Sequence, residues 1–289
     1  MGSLKTVKGP AIFVGQYLSD EAPFNSLVGI AEWAASLGYA GIQILIGDRL
    51  IDMDRAAADV EYCKSLLTTP EKYQVQLTQL SSHLQGQLVA AHPAYDALFD
   101  GFAPPQLQGN PSARQKWATG VLIRAARASK NLGLAAHATF SRALACPYRY
   151  SWPQRPQNMV EIAFIEHSAR WKPILDVFDE VGVHCCFELH PGEDVHDGAS
   201  FDRFLRAVDG HRRACILYHP GHFVLQQVGY PSFLDIYHER VKIVHVKDAE
   251  FLPSGRQGVY GGTGRPIPCS WSWSSRLQRH FYEDCKVRV

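Results

Sequence analysis

Three apolar runs in the second half of the chain each stop at residues able to hold a metal, and their spacing restricts the fold more than any other feature. The runs are 183–189, which contains Glu188; 214–218, followed by His219-Pro220-Gly221-His222; and 241–246, which contains His245 and leads into Lys247-Asp248. Glu188 and His219 are 31 residues apart, and His219 and His245 are 26 apart. That is the length of one strand, one helix and their loops in a parallel β/α array.

Similar short apolar runs occur at 11–14, 41–45, 75–80 and 134–140, which makes seven predicted buried strands. Between them, Leu27, Ile30, Ala31 and Ala34 repeat at helical spacing behind a polar start at Asn25-Ser26. Trp171, Ile174, Leu175 and Phe178 do the same and are closed by Gly182; Phe201, Phe204, Leu205 and Val208 follow suit before Gly210. Strict alternation of strand and helix selects an all-parallel sheet with helices outside. A barrel is expected rather than an open sheet, because polar residues crowd the ends of many successive strands: Gln16, Gln43, Ser81-Ser82-His83, His137, Glu188, His219 and His245. An open sheet would concentrate them at one switch point.

The expected fold class is therefore α/β, a (β/α)8 TIM barrel with seven strands evident and the eighth missing or replaced by an atypical C-terminal tail. Residues 1–262 form the barrel and 263–289 the tail, which has neither a strand-length apolar run nor a helical period up to Ser275. The tail reads as a replaced C-terminus, such as a frameshift or an altered exon would leave. Two long aromatic- and proline-rich loops, 85–111 and 142–157, follow predicted strands and should lie over the mouth, either as a lid or as stiffened surface crossings.

A formal charge of +1, from 29 basic and 28 acidic side chains, offers no field for a polyanion, so nucleic acid is not an expected partner. The seven cysteines, Cys63, Cys146, Cys185, Cys186, Cys215, Cys269 and Cys285, never form a C-x-x-C pair. That pattern fits a reducing compartment, and the expected location is cytoplasmic. No apolar run is long enough to span a membrane. Met1-Gly2-Ser3-Leu4-Lys5-Thr6 matches the loose myristoylation template, but one acyl chain would anchor only marginally. No membrane partner is expected, and homo-oligomerisation is left open.

One carboxylate and two imidazoles on neighbouring strand ends would converge inside a barrel mouth. The expected cofactor is a divalent metal (Mn, Co, Zn or Mg) held by Glu188, His219 and His245. A single strand-end histidine is more often a hydrogen-bonded structural residue, but recurrence on three successive strands outweighs that reading. Glu188, next to Pro191-Gly192, is also the expected general base. His83, His222, Lys247 and Asp248 are the expected substrate contacts, with a solvated loop charge as the plain alternative for Lys247. Cys185 and Cys186 read as core thiols on opposite faces of one strand.

The segments Phe187-Glu188-Leu189-His190-Pro191-Gly192-Glu193-Asp194, Leu217-Tyr218-His219-Pro220-Gly221-His222-Phe223 and His245-Val246-Lys247-Asp248-Ala249-Glu250 resemble the xylose-isomerase-like sugar phosphate isomerase/epimerase family. The resemblance spans about residues 9–262. It implies a TIM barrel with a divalent metal held by a Glu on the fifth strand, an Asp on the sixth, a His on the seventh and a Glu on the eighth. Two carboxylates then pass a proton to and from a sugar carbon. Glu188 and His245 match this pattern, and His222 matches a histidine that contacts metal or substrate. His219 stands where the family has Asp, and the eighth-strand Glu has no counterpart. The implied activity is a metal-dependent sugar (phosphate) isomerase or epimerase working through an enediolate on a small hydroxy-carbonyl compound, weakened by these two departures. A hydrolase or dehydratase on the same barrel and an inactive truncated barrel are the alternatives.

Overall fold

The computed structural model describes residues 9–47, 50–149, 151, 153–247 and 249. Seven strands run through them: β1 (Ala11–Phe13), β2 (Gly41–Leu45), β3 (Gln76–Ser81), β4 (Ala136–Thr139), β5 (His184–Glu188), β6 (Ala214–Tyr218) and β7 (Val241–Val244). Every strand pairs in parallel with the next, in the order β1 to β7. All seven predicted strands are present, with ends within about two residues of the apolar runs. The helices are α1 (Leu27–Ser36), α2 (Met53–Ala58), α3 (Val60–Glu71), α4 (His83–Gly86), α5 (Asp96–Phe99), α6 (Pro111–Asn131), α7 (Met159–Val181), α8 (Gly198–Ala207), α9 (Pro220–Leu225) and α10 (Tyr230–Tyr237).

The predicted helix ends have local causes. The Ser26 hydroxyl accepts the Gly29 N–H at 3.1 Å and caps α1. Asp197 and Ser200 form a capping box that starts α8. Gly182, at φ 79°, takes the left-handed conformation that ends α7. None of the described helices is long and apolar enough to cross a membrane.

Side chains alternate across the sheet, as strand geometry requires. Ile42, Ile44 and Leu80 face a first outer core that also contains Ile30 of α1, while Cys185 and Phe187 face a second. In the second core, Phe187 meets Trp171 of α7 and Phe204 of α8 edge-on, with centroids at 4.8 and 5.2 Å. Burying each such ring contributes roughly 1.5–3 kcal/mol, which ties the helices to the strands they cover. The inner face is lined by Ala136, Ala138, Cys186, Cys215, Leu217 and Ile243. Cys185 and Cys186 therefore do lie on opposite faces.

The sheet curls until its two ends meet at the C-terminal rim. Phe13 of β1 stacks on His245 at 5.8 Å, and Gln43 of β2 hydrogen-bonds His245 at 2.7 Å. Among the described residues β1 and β7 do not pair directly. The place expected for an eighth strand, the 263–289 tail, Asp248 and the N-terminal acylation motif all lie outside the described residues.

Loop 85–111, open to two readings from sequence, is clamped to the helix that follows it. Arg114 of α6, almost fully buried, reaches back to the Asp96 carbonyl at 2.9 Å, the Asp96 carboxylate at 2.6 Å and the Asp100 carboxylate. The His92 ring joins this loop to the loop after β4 through the Tyr148 hydroxyl at 3.1 Å.

Candidate metal centre

Five side chains converge at the C-terminal rim, and sheet phase explains most of them. Glu188 lies two residues beyond Cys186, His219 two beyond Leu217, and His245 two beyond Ile243, so each continues an inward-facing row. The His245 N–H bonds the Tyr218 carbonyl at 2.9 Å, which extends the ladder past β7 and fixes that histidine beside β6. His219 is the N-cap of α9, and Pro220 occupies the first helical position, where no N–H is needed. His222 follows three residues later on the same face, its ring centroid 3.8 Å from that of His219.

His83 opens α4 directly after β3. That short helix can press against β4 only because residue 86 is glycine: a Cβ there would fall 2.2 Å from Thr139 Oγ1 and 2.3 Å from the Phe140 carbonyl. Phe140 in turn meets the His83 ring edge-on at 4.5 Å.

Glu188 is the hub. Its Oε1 accepts from His219 Nδ1 at 2.7 Å and from His222 Nε2 at 3.1 Å; its Oε2 accepts from His83 Nε2 at 2.8 Å. His245 Nδ1 stands 3.8 Å from Oε2 and has no hydrogen-bond partner, although it is buried. The Ser81 hydroxyl bonds His83 Nδ1 and turns the other ring nitrogen toward the carboxylate. The donor atoms of Glu188, His219 and His222 all lie within 4.8 Å of one another. All five side chains are buried.

Burial pushes the Glu188 carboxyl up, but hydrogen bonds from His219, His222 and His83 outweigh it and hold the group well below the usual carboxylate range. Burial likewise drives His245 down to about 3, against the pull of Glu188. His219 is lowered by burial, partly offset by its bond to Glu188. Glu188 is thus held as the anion and the His219 and His245 rings as neutral imidazoles, the protonation states that metal binding requires.

A family model described as xylose isomerase-like TIM barrel matches residues 31–277. The chain belongs to this xylose isomerase-like family. Searches of curated protein sequences give no match. Among solved structures, this xylose isomerase-like chain is similar to 3-keto-D-glucoside 4-epimerase from E. coli, with TM-score 0.57, 12% identity and coverage of 84% of this chain and 80% of that one. It is also similar to a probable 3-DHS dehydratase involved in petrobactin synthesis from Bacillus anthracis, with TM-score 0.56, 14% identity and coverage of 82% and 72%. A third is D-psicose 3-epimerase with D-tagatose from Clostridium cellulolyticum H10, with TM-score 0.51, 12% identity and coverage of 82% and 72%. At these identities the likeness is one of fold.

The xylose isomerase-like barrel thus brings Glu188, His219, His222, His83 and His245 together. His222, expected as a substrate contact, lies as close to the carboxylate as the expected ligands. Lys247 is half-buried; burial lowers its pKa, with Glu188 opposing. Its neighbour Asp248 is outside the described residues. His137, a strand-end candidate, is corrected: it faces outward, between Ser82 Oγ at 2.8 Å and Ser129 Oγ at 3.2 Å, against Phe178. Burial drives it to about 3, which suits a neutral structural ring.

Three residues that matter here carried no assigned role in the sequence reading. Gln43 holds His245, and His190 packs its ring 4.4 Å from His222. Glu193, buried, accepts from the Arg142 N–H and from the Ser141 hydroxyl at 3.4 Å, tying the loop after β5 to the loop after β4. The Glu193-Asp194 pair after Pro191-Gly192 was visible in the sequence but carried no signal of burial, since loop acids are mostly exposed.

Proposed function

We propose that the chain is a divalent-metal-dependent enzyme of the sugar isomerase/epimerase kind, moving a proton at a carbon next to a carbonyl in a small hydroxy-carbonyl compound. The observation that carries this reading is one buried carboxylate ringed by four buried imidazoles at the C-terminal rim of a curled parallel sheet. The residues fit a metal. Each proton now shared with Glu188 marks a nitrogen that a cation could take, and the unpartnered His245 Nδ1 faces the same carboxylate. Glu188, His219, His222 and His245 would hold it. A set rich in nitrogen suits Zn, Co or Mn better than Mg, which prefers oxygen ligands.

A divalent cation there supplies polarisation of a substrate oxygen, which lowers the cost of an enediolate. Glu188 stays ionised near neutral pH and offers an oxygen to accept the carbon-bound proton. The imidazole N–H of His83 orients Glu188 Oε2, and burial of all five side chains keeps bulk water from competing. Lys247 binds the substrate's oxygen or anionic group beside the carboxylate.

The test is solvent exchange. Purified protein with Zn, Co or Mn, incubated in D2O with ketose and hydroxy-ketone candidates, should place deuterium next to the carbonyl; Glu188→Gln should abolish it while the fold persists. Failure of every metal to bind, or unchanged exchange in the variant, would refute the reading. The dehydratase neighbour motivates a second reading, in which the same proton removal is followed by loss of a β-hydroxyl. An unsaturated ketone product would select it.

A further inference from the structure

Gln43 lies on the inward face of β2, between the outward-facing Ile42 and Ile44, and is almost fully buried. The sheet has a register shift at this point: between Ile42 and Gln43 the β3 partner skips a residue, and the Thr78 hydroxyl donates to the Ile42 carbonyl at 3.0 Å. Irregularities of this kind re-aim side chains beside functional sites. Gln43 Oε1 ends 2.7 Å from His245 Nε2, joining residues 202 apart in sequence.

With the Gln43 amide turned so that Oε1 faces the ring and Nε2 is left without a partner, that oxygen can only accept, which puts the ring proton on His245 Nε2 and the lone pair on Nδ1. That Nδ1 is buried, has no hydrogen-bond partner and faces Glu188 Oε2 across 3.8 Å. Two electron-pair donors facing each other in a buried site call for a cation between them. Phe13, stacked on the His245 ring at 5.8 Å with planes 21° apart, keeps the ring from turning away. We propose that Gln43 is the positioning residue that fixes the His245 tautomer and thereby makes His245 Nδ1 a metal-facing donor. This rests on the proposed reading that the site holds a divalent metal.

Outer partners that hold a ligating histidine typically contribute about 10- to 100-fold in metal affinity. The experiment uses the full chain with Co2+ and Zn2+ as probes, read by calorimetry and chelator competition. Gln43→Leu should weaken binding about 10- to 100-fold, whereas Gln43→Glu, which keeps an acceptor at the same place, should stay within a few-fold of the parent. In a His245→Ala background, Gln43→Leu should cause no further loss, a coupling that a merely structural role would not produce. Ring nitrogen NMR on the metal-free parent should show His245 protonated on Nε2, and it needs no variant to fold. Equal Co2+ affinity in Gln43→Leu, or a proton on Nδ1 in the parent, overturns the proposal and leaves the metal reading standing. A parent chain that binds neither probe overturns both.

Discussion

Glu193 gives the sharpest quantitative handle on this molecule, and it lies away from the candidate ligands. Its carboxyl is buried between the loops after β4 and β5, and burial pushes its pKa from 4.5 to about 7 despite the opposing Arg142 guanidinium and N–H. An acid whose folded pKa lies above its unfolded one contributes stability that is intact below the unfolded value and is lost as pH rises through the folded value. The gap between 4.5 and about 7 corresponds to roughly 3 kcal/mol, all of it lost by about pH 8. Glu193→Gln keeps an oxygen for the Arg142 N–H and cannot ionise. Urea unfolding of parent and variant from pH 4.5 to 8.5 should give matching stabilities at the acid end and a variant more stable by about 3 kcal/mol at the basic end. Parallel curves would show that Glu193 is ionised at no net cost, with Arg142 and Arg149 compensating its burial in full.

Three other outcomes are expected. Arg114→Met removes the clamp on Asp96 and Asp100 and should cost about 2 kcal/mol in urea unfolding, less than a fully buried pair because both aspartates keep some contact with water. Metal-free protein should lose stability as pH falls from 6.5, because His137, His190 and His245 are held near 3 when folded and take up protons when unfolded. With Glu193 working in the opposite sense, these four groups together contribute a slope of about 3 kcal/mol per pH unit near pH 5, and equal melting temperatures at pH 7 and 5 would contradict it. Zn, Co or Mn at about 100 times its Kd should stabilise the parent by about 2.7 kcal/mol in thermal melts and leave Glu188→Gln unmoved.

The fold was legible because each strand carries its own apolar run and three of the helices, α1, α7 and α8, their own period and an end signal. Seven parallel strands follow from local pattern and from the rule that crossovers have one hand, without any long-range information. The ligand-type residues were legible for the same reason: Glu188, His219 and His245 interrupt apolar runs at matching places. The clamp by Arg114 was not, because an arginine in the first turn of a helix looks like a solvated charge until the fold brings Asp96 and Asp100 beside it.

The misplacement of His137 and the unassigned role of Gln43 have one common cause, which is strand phase. A two-residue repeat says which side chains share a face but not which face is inside. On β5, β6 and β7 the ligands settle this, since counting back from Glu188, His219 and His245 gives Cys186, Leu217 and Ile243, all on the inner wall. β4 has no ligand of its own, so its apolar run alone does not say whether His137 faces the site or the outer core. Only pairing to β5 fixes the phase: Ala138 sits beside Cys186, which sends Ala138 and Phe140 inward and His137 outward. On β2 the phase was equally open, and the register shift beside Gln43 lies in the pairing to β3, where no single-strand pattern can show it. Strands that carry chemistry therefore announce their inner face, and strands that only support it do so through their neighbours.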